Sequence, residues 1–136
     1  MDKIIKLSLP IHQEKKVKGK ITKYLVGMNW YRNEHFFLSN EVKKKYSKMI
    51  KEQLKDNKIK FIGEYKVKYT LYYQSKSCDL SNVCSLISKF LNDTLQELWI
   101  VNNDNVQFLT KEVYIVGGLD KIEPRVEIEI TEYKCW

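Results

Sequence analysis

The chain is poor in the residues that break or staple a fold. Five glycines and two prolines in 136 residues exclude a collagen-like rod and a low-complexity tail. Its three cysteines, Cys78, Cys84 and Cys135, share no C-x-x-C spacing. Neither a disulfide framework nor a zinc ribbon is therefore indicated. The first residues lack the apolar core of a signal peptide. No run approaches the roughly 18 apolar residues of a membrane span. The expected setting is the reduced cytoplasm, with no membrane partner. Histidine is scarce as well. His12 reads as exposed, and His35 as a packed polar residue of an aromatic loop or a phosphate contact.

What is present fits one domain over residues 1–136, with 43% apolar residues and enough chain to bury a core without staples. The formal charge is +7, and it is unevenly placed. Residues 1–76 hold 19 basic and 7 acidic groups, net +12; residues 77–136 hold 5 and 10, net −5. Such a balance favours a polyanionic partner, with nucleic acid the first expectation. Lysine on solvated faces would give the same sum.

The patterning alternates strands and helices. Ile5, Leu7 and Leu9 alternate with polar residues up to Pro10, as in a half-buried strand. Residues 15–26 read as a basic ribbon with a tight turn at Lys18-Gly19. The aromatic stretch 27–37 has no clear period and reads as a loop. Ser39 or Asn40 would cap a helix to about Leu54, with a lysine-rich outer face. A strand is predicted over Phe61–Tyr73, with Glu64, Lys66, Lys68 and Thr70 on its wet side. Val83, Leu86, Ile87, Phe90, Leu91, Leu95 and Leu98 mark a second helix. Two last strands follow, over about Gln107–Val116 and Arg125–Tyr133, separated by Gly117-Gly118. The expected fold is a single α/β domain, a mixed β-sheet with two main helices packed on it.

The second helix also has a polar row. Ser81, Ser85, Lys89 and Asp93 recur every four residues, with Asp79 just before the helix and Asp104 in the loop beyond it. Carboxylates with one lysine suit phosphodiester hydrolysis. Magnesium takes oxygen ligands and keeps waters that can attack, and a lysine can stabilise charge building on the phosphate. Common surface Lys–Asp pairs would produce the same spacing.

In order along the chain, Cys78-Asp79-Leu80-Ser81-Asn82, Lys89-Phe90-Leu91-Asn92-Asp93, Trp99 to Asp104 and Val126 to Ile130 resemble the RusA family of phage and prophage Holliday junction resolvases. That family shows D-L-D-N, then K-x-x-x-D-x-L on a helix, then an apolar stretch closed by D-D. Asn29-Trp30-Tyr31-Arg32-Asn33-Glu34-His35 resembles the N-W-Y-R-N-x-H of its longer members. The likeness runs from Leu9-Pro10 to Ile130 and implies a RusA-like domain and a homodimer that binds four-way DNA junctions. It further implies two symmetric nicks made with magnesium, for which manganese can substitute. Asp79, Lys89 and Asp104 match the catalytic set, if one helical turn is inserted between Asn82 and Lys89. Asp79, Asp104 and Asp93 would be the metal ligands.

The chain departs from that pattern at two positions. Ser81 stands where the family has its second aspartate, and Asn103 where the closing pair begins. A hydroxyl or an amide carbonyl is a weaker magnesium ligand than a carboxylate. Asp93 or Glu34 would have to replace the missing charge, or the protein would no longer cut. In that second case it would act as a junction-binding factor, or as a phage inhibitor aimed at a host complex that handles nucleic acid. Lys15, Lys16, Lys18, Lys20 and Lys23 are the expected DNA contacts, and Arg32 a phosphate clamp. Trp30 and Tyr31 would either stack on unpaired bases or anchor their loop in the core.

Overall fold

The computed structural model describes residues 3–132. Nine elements follow in order: β1 (Ile4–Pro10), β2 (His12–Val17), β3 (Lys20–Leu25), α1 (Met28–Asn33), α2 (Phe36–Gln53), β4 (Tyr65–Tyr73), α3 (Leu80–Glu97), β5 (Leu109–Leu119) and β6 (Arg125–Glu132). Four strands form a mixed sheet in the order β1-β6-β4-β5. β4 and β5 run parallel, and the other two pairs are antiparallel. The expected α/β class, with helices on a mixed sheet, is what the chain adopts.

Register explains the core. Ile5, Leu7 and Leu9 of β1 face Ile130, Ile128 and Val126 of β6. The same three residues face Val67, Tyr69 and Leu71 of β4. These rows lie on one face of the sheet and are buried with α2 residues Val42, Tyr46 and Ile50 and the apolar stripe of α3. Each aliphatic side chain so buried contributes about 1.5–3 kcal/mol. The opposite face carries Lys6, Ser8, Lys68, Thr70, Glu127 and Glu129, with Lys68 paired to Glu129 at 3.6 Å. Lys66 departs from the wet-face expectation. It is 1% exposed, and its cross-strand neighbour Thr131 is equally buried, so the wet face stops short of that row.

Side chains fix the ends of the elements. The Gln53 amide covers the outer edge of β1: the Ser8 N–H donates to Gln53 Oε1 (3.0 Å), and Gln53 Nε2 donates to the Ser8 carbonyl (2.7 Å). Such a plug blocks further strand pairing there. At the end of α3, Trp99 takes φ 58°, while its N–H donates to Gln96 O and that of Ile100 to Leu95 O. That arrangement usually places glycine where Trp99 sits. Between β5 and β6, the Arg125 guanidinium lies 4.2 Å from the Tyr72 ring centre and pairs with Asp120 (2.8 Å) and Glu127 (3.1 Å). The Glu123 N–H and Arg125 together hold the Asp120 carboxyl below its usual range.

Several boundaries differ from expectation. Helix α2 starts at Phe36, with His35 Nδ1 accepting from the Phe37 N–H, while Ser39 is buried inside it. The stretch expected as loop contains α1. β4 begins at Tyr65, because Phe61 instead bridges to Val101. β5 continues through Gly117-Gly118 to Leu119. Tyr133, the expected end of the last strand, and Cys135 lie outside the described residues. Among the described residues, no helix is long and apolar enough to cross a membrane.

Candidate nucleic-acid interface

β2 and β3 form a two-stranded ribbon apart from the main sheet. Lys18 (φ 51°) and Gly19 (φ 80°) take the left-handed conformations of a tight hairpin turn. The pairing Lys15↔Thr22, Lys16↔Ile21 and Val17↔Lys20 fixes the faces. Lys15 and Lys20 share one face, Lys16 and Lys23 the other, and Lys18 caps the tip. All but Lys15 are exposed. Lys15 Nζ lies 5.9 Å from the Tyr24 ring centre. The ribbon thus presents cations on both faces and at its end. His12, at its base, is half-buried rather than exposed. Burial and then Lys23 lower its pKa, which favours the neutral ring.

The Asn82 side chain sets α1 against α3, a role that no local pattern in the sequence signals. Asn82 Oδ1 accepts from the Asn29 N–H at 2.8 Å. A Cβ at Gly27 would stand 2.4 Å from Asn82 Nδ2, so only glycine allows this close approach. Trp30 packs tilted by 30° against Tyr24 (5.1 Å), and Tyr31 meets Phe90 edge-on (5.8 Å). Both anchor α1 by packing against the core. Arg32 is exposed at the end of α1 and makes no ion pair among the described residues. Gly27→Ala is expected to displace Asn82 and cost about 1–3 kcal/mol, with a lower urea midpoint as the readout. Restoring space with Gly27→Ala plus Asn82→Gly should recover less than the full loss, because the Asn29 N–H stays unpaired.

The polar row of α3 is present as expected. Ser81 and Lys89 are exposed, Ser85 and Asp93 half-buried. Lys89 Nζ sits 6.0 Å from the Tyr31 ring centre, and Asp93 pairs with Lys43 at 3.3 Å. The acidic residues, however, do not converge. Asp79 is the N-cap of α3, without a side-chain capping bond, whereas Asp104 follows the other end in sequence and acts on the Tyr65 hydroxyl that bonds Asn92. An 18-residue helix at about 1.5 Å per residue puts roughly 27 Å between its ends. Asp79 and Asp93 are likewise about 21 Å apart along it. Asn103 Oδ1 accepts from the Asn105 N–H, and Glu34 Oε1 from the His35 N–H. Both side chains serve their own loops. Among the described residues, no group of three His, Cys, Asp or Glu could hold a metal ion. The donor set expected for magnesium does not fit one within a single chain, because α3 holds Asp79 apart from Asp93 and Asp104.

A polar network lies under α3 instead. Glu112 Oε2, on β5, accepts from Tyr69 OH (2.5 Å) and Ser88 Oγ (2.7 Å). Asn92 Oδ1 accepts from Tyr65 OH (2.7 Å), and Asn92 Nδ2 donates to the Ser88 carbonyl (2.9 Å). Burial and then Glu112 raise the Tyr69 hydroxyl pKa well above its ordinary value, so it stays a donor. Cys84, buried nearby, has its thiol pushed up to about 12, first by burial. It is chemically quiet at neutral pH. This network ties the helix to the sheet.

No family model matches the chain, and no sequence among curated proteins does.

Proposed function

We propose that this chain binds branched DNA, as a RusA-like domain without a metal centre of its own in a single chain. The observation that carries this reading is the β2–β3 ribbon, with lysines on both faces and at the tip. A major groove about 12 Å wide admits a two-stranded ribbon, and cations on both faces then meet phosphates on both walls. Arg32, exposed on the neighbouring α1, adds a fork suited to one more phosphate. Asp104 acts on Tyr65, which bonds Asn92, about 20 Å along α3 from Asp79, and that separation supports binding over cleavage. The chain would act in a reduced cytoplasm, that of the host cell if a phage encodes it. In a gel-shift titration, binding to a synthetic four-way junction is expected at low salt, unchanged by a chelator or by Asp79→Asn. Loss of binding on chelation would contradict the reading.

One observation favours a second reading, a magnesium nuclease that works only as a homodimer. The carboxylates of Asp79 and Asp104 make no hydrogen bond or ion pair among the described residues, whereas Asp93 is paired. Two copies with antiparallel α3 helices would bring an Asp79 to an Asp104 across the interface. Mixing Asp79→Asn with Asp104→Asn protein tests this. Restored nicking by the mixture would mean a shared site.

A further inference from the structure

We infer that the outer face of α2 is a single-strand-binding track, with Phe36 and Phe37 as its base-stacking end. This rests on the reading of the chain as a nucleic-acid binder. Phe36 is 68% exposed and Phe37 71%, at the start of a helix whose inner stripe is fully buried. Their ring centres are 5.9 Å apart at 65°, and His35 stacks on Phe37 at 5.3 Å and 20°. The second ring is therefore held in place from behind. Exposed aromatic faces of this kind suit unpaired bases, since bases within a duplex already have both faces stacked.

The same helix supplies the cations. Phe36, Asn40, Lys44 and Lys48 recur every four residues and so form one row. From Phe36 to Lys48 the row spans about 18 Å, room for a short run of nucleotides. It borders a groove lined by Asn40, Lys43, Lys44, Ser47 and Lys48, which ends at the Lys51–Glu97 ion pair of 2.9 Å. Lys43 is held by Asp93, whereas Lys44, Lys45 and Lys48 make no ion pair among the described residues. Glu41, beside Phe37, and Glu52 are the acidic residues of α2, leaving the helix net positive. The charge selects the occupant. A second copy would set lysine row against lysine row, but a polyanionic strand complements it.

The test uses the full-length protein, a fluorescein-labelled twelve-nucleotide oligothymidylate and a blunt duplex, in anisotropy titrations at low salt. Phe36→Ala/Phe37→Ala is expected to weaken oligothymidylate binding about 30-fold or more and to leave duplex binding within about twofold. Lys44→Gln/Lys48→Gln is expected to reduce the slope of log affinity against log salt by about 1.4 for the single strand. Unchanged oligothymidylate binding by the double-alanine variant would overturn the inference. So would self-association of the wild type, seen by sedimentation, that those alanines abolish. Duplex binding without oligothymidylate binding sinks the track alone, whereas no binding to any DNA sinks the proposed function with it.

Discussion

Replacing Lys15, Lys16, Lys18, Lys20 and Lys23 by glutamine is expected to remove most of the salt dependence of junction binding. Each lysine that neutralises a phosphate of duplex DNA adds about 0.9 to the slope of log affinity against log salt. Five such contacts add about 4.5. Between 50 and 200 mM salt they alone account for roughly a 500-fold fall in affinity. The variant should bind weakly throughout that range and show a much flatter slope. Its fold should be intact, because four of these side chains are exposed on a ribbon outside the main sheet, Lys15 gives up only its place over Tyr24, and glutamine at Lys18 meets the same backbone conformation as lysine. An equally steep slope in the variant would mean that the phosphate contacts lie elsewhere.

Glu112→Ala is expected to be the most damaging polar-to-apolar change. It removes the acceptor of two hydroxyls, Tyr69 OH and Ser88 Oγ. Tyr69 is fully buried and Ser88 only 8% exposed. A buried donor left without its partner costs about 1–3 kcal/mol, so the variant should lose about 2–5 kcal/mol from that term. Tyr69→Phe, which removes a donor and leaves Ser88 bonded to Glu112, should cost about 1 kcal/mol. In the double variant the orphaned hydroxyl of Tyr69 is gone, so its loss should be smaller than the sum of the two single losses. Urea unfolding of the four proteins measures all three. Strict additivity would show that the Tyr69–Glu112 bond contributes nothing.

Much of the fold was legible because its determinants are local. Alternation at Ile5, Leu7 and Leu9, the stripe from Val83 to Leu95 and the Lys18-Gly19 turn each carry their signal within a few residues. What escaped was decided over long range. α1 is six residues long, too short for a period to show, and is set in place by Asn82 from a helix 53 residues away in sequence. The start of α2 is hidden from the pattern because Phe36 and Phe37 are exposed, against the usual rule for phenylalanine. Lys66 was assigned to solvent by alternation, although its strand position is enclosed.

The site divides along the same line. The ribbon lysines were readable from composition and turn chemistry. The polar row of α3 was readable from its period of four. A motif likeness groups Asp79 with Asp104, yet the apolar stripe from Val83 to Leu95 already implies a helix long enough to part them. Helix length was the physical signal that bore against a shared ion in one chain. Ser81 and Asn103 pointed the same way through lost charge. The network of Tyr65, Tyr69, Ser88, Asn92 and Glu112 had no such signal, since its members come from three elements.

The most direct test is a nicking assay on a synthetic four-way junction with purified protein and millimolar magnesium or manganese. A retarded complex and no nicks are expected, with Ser81→Asp alone failing to restore cleavage, because one added carboxylate does not close the distance from Asp79 to Asp104. Symmetric nicks by the wild-type protein, abolished by Asp104→Asn, would contradict that expectation.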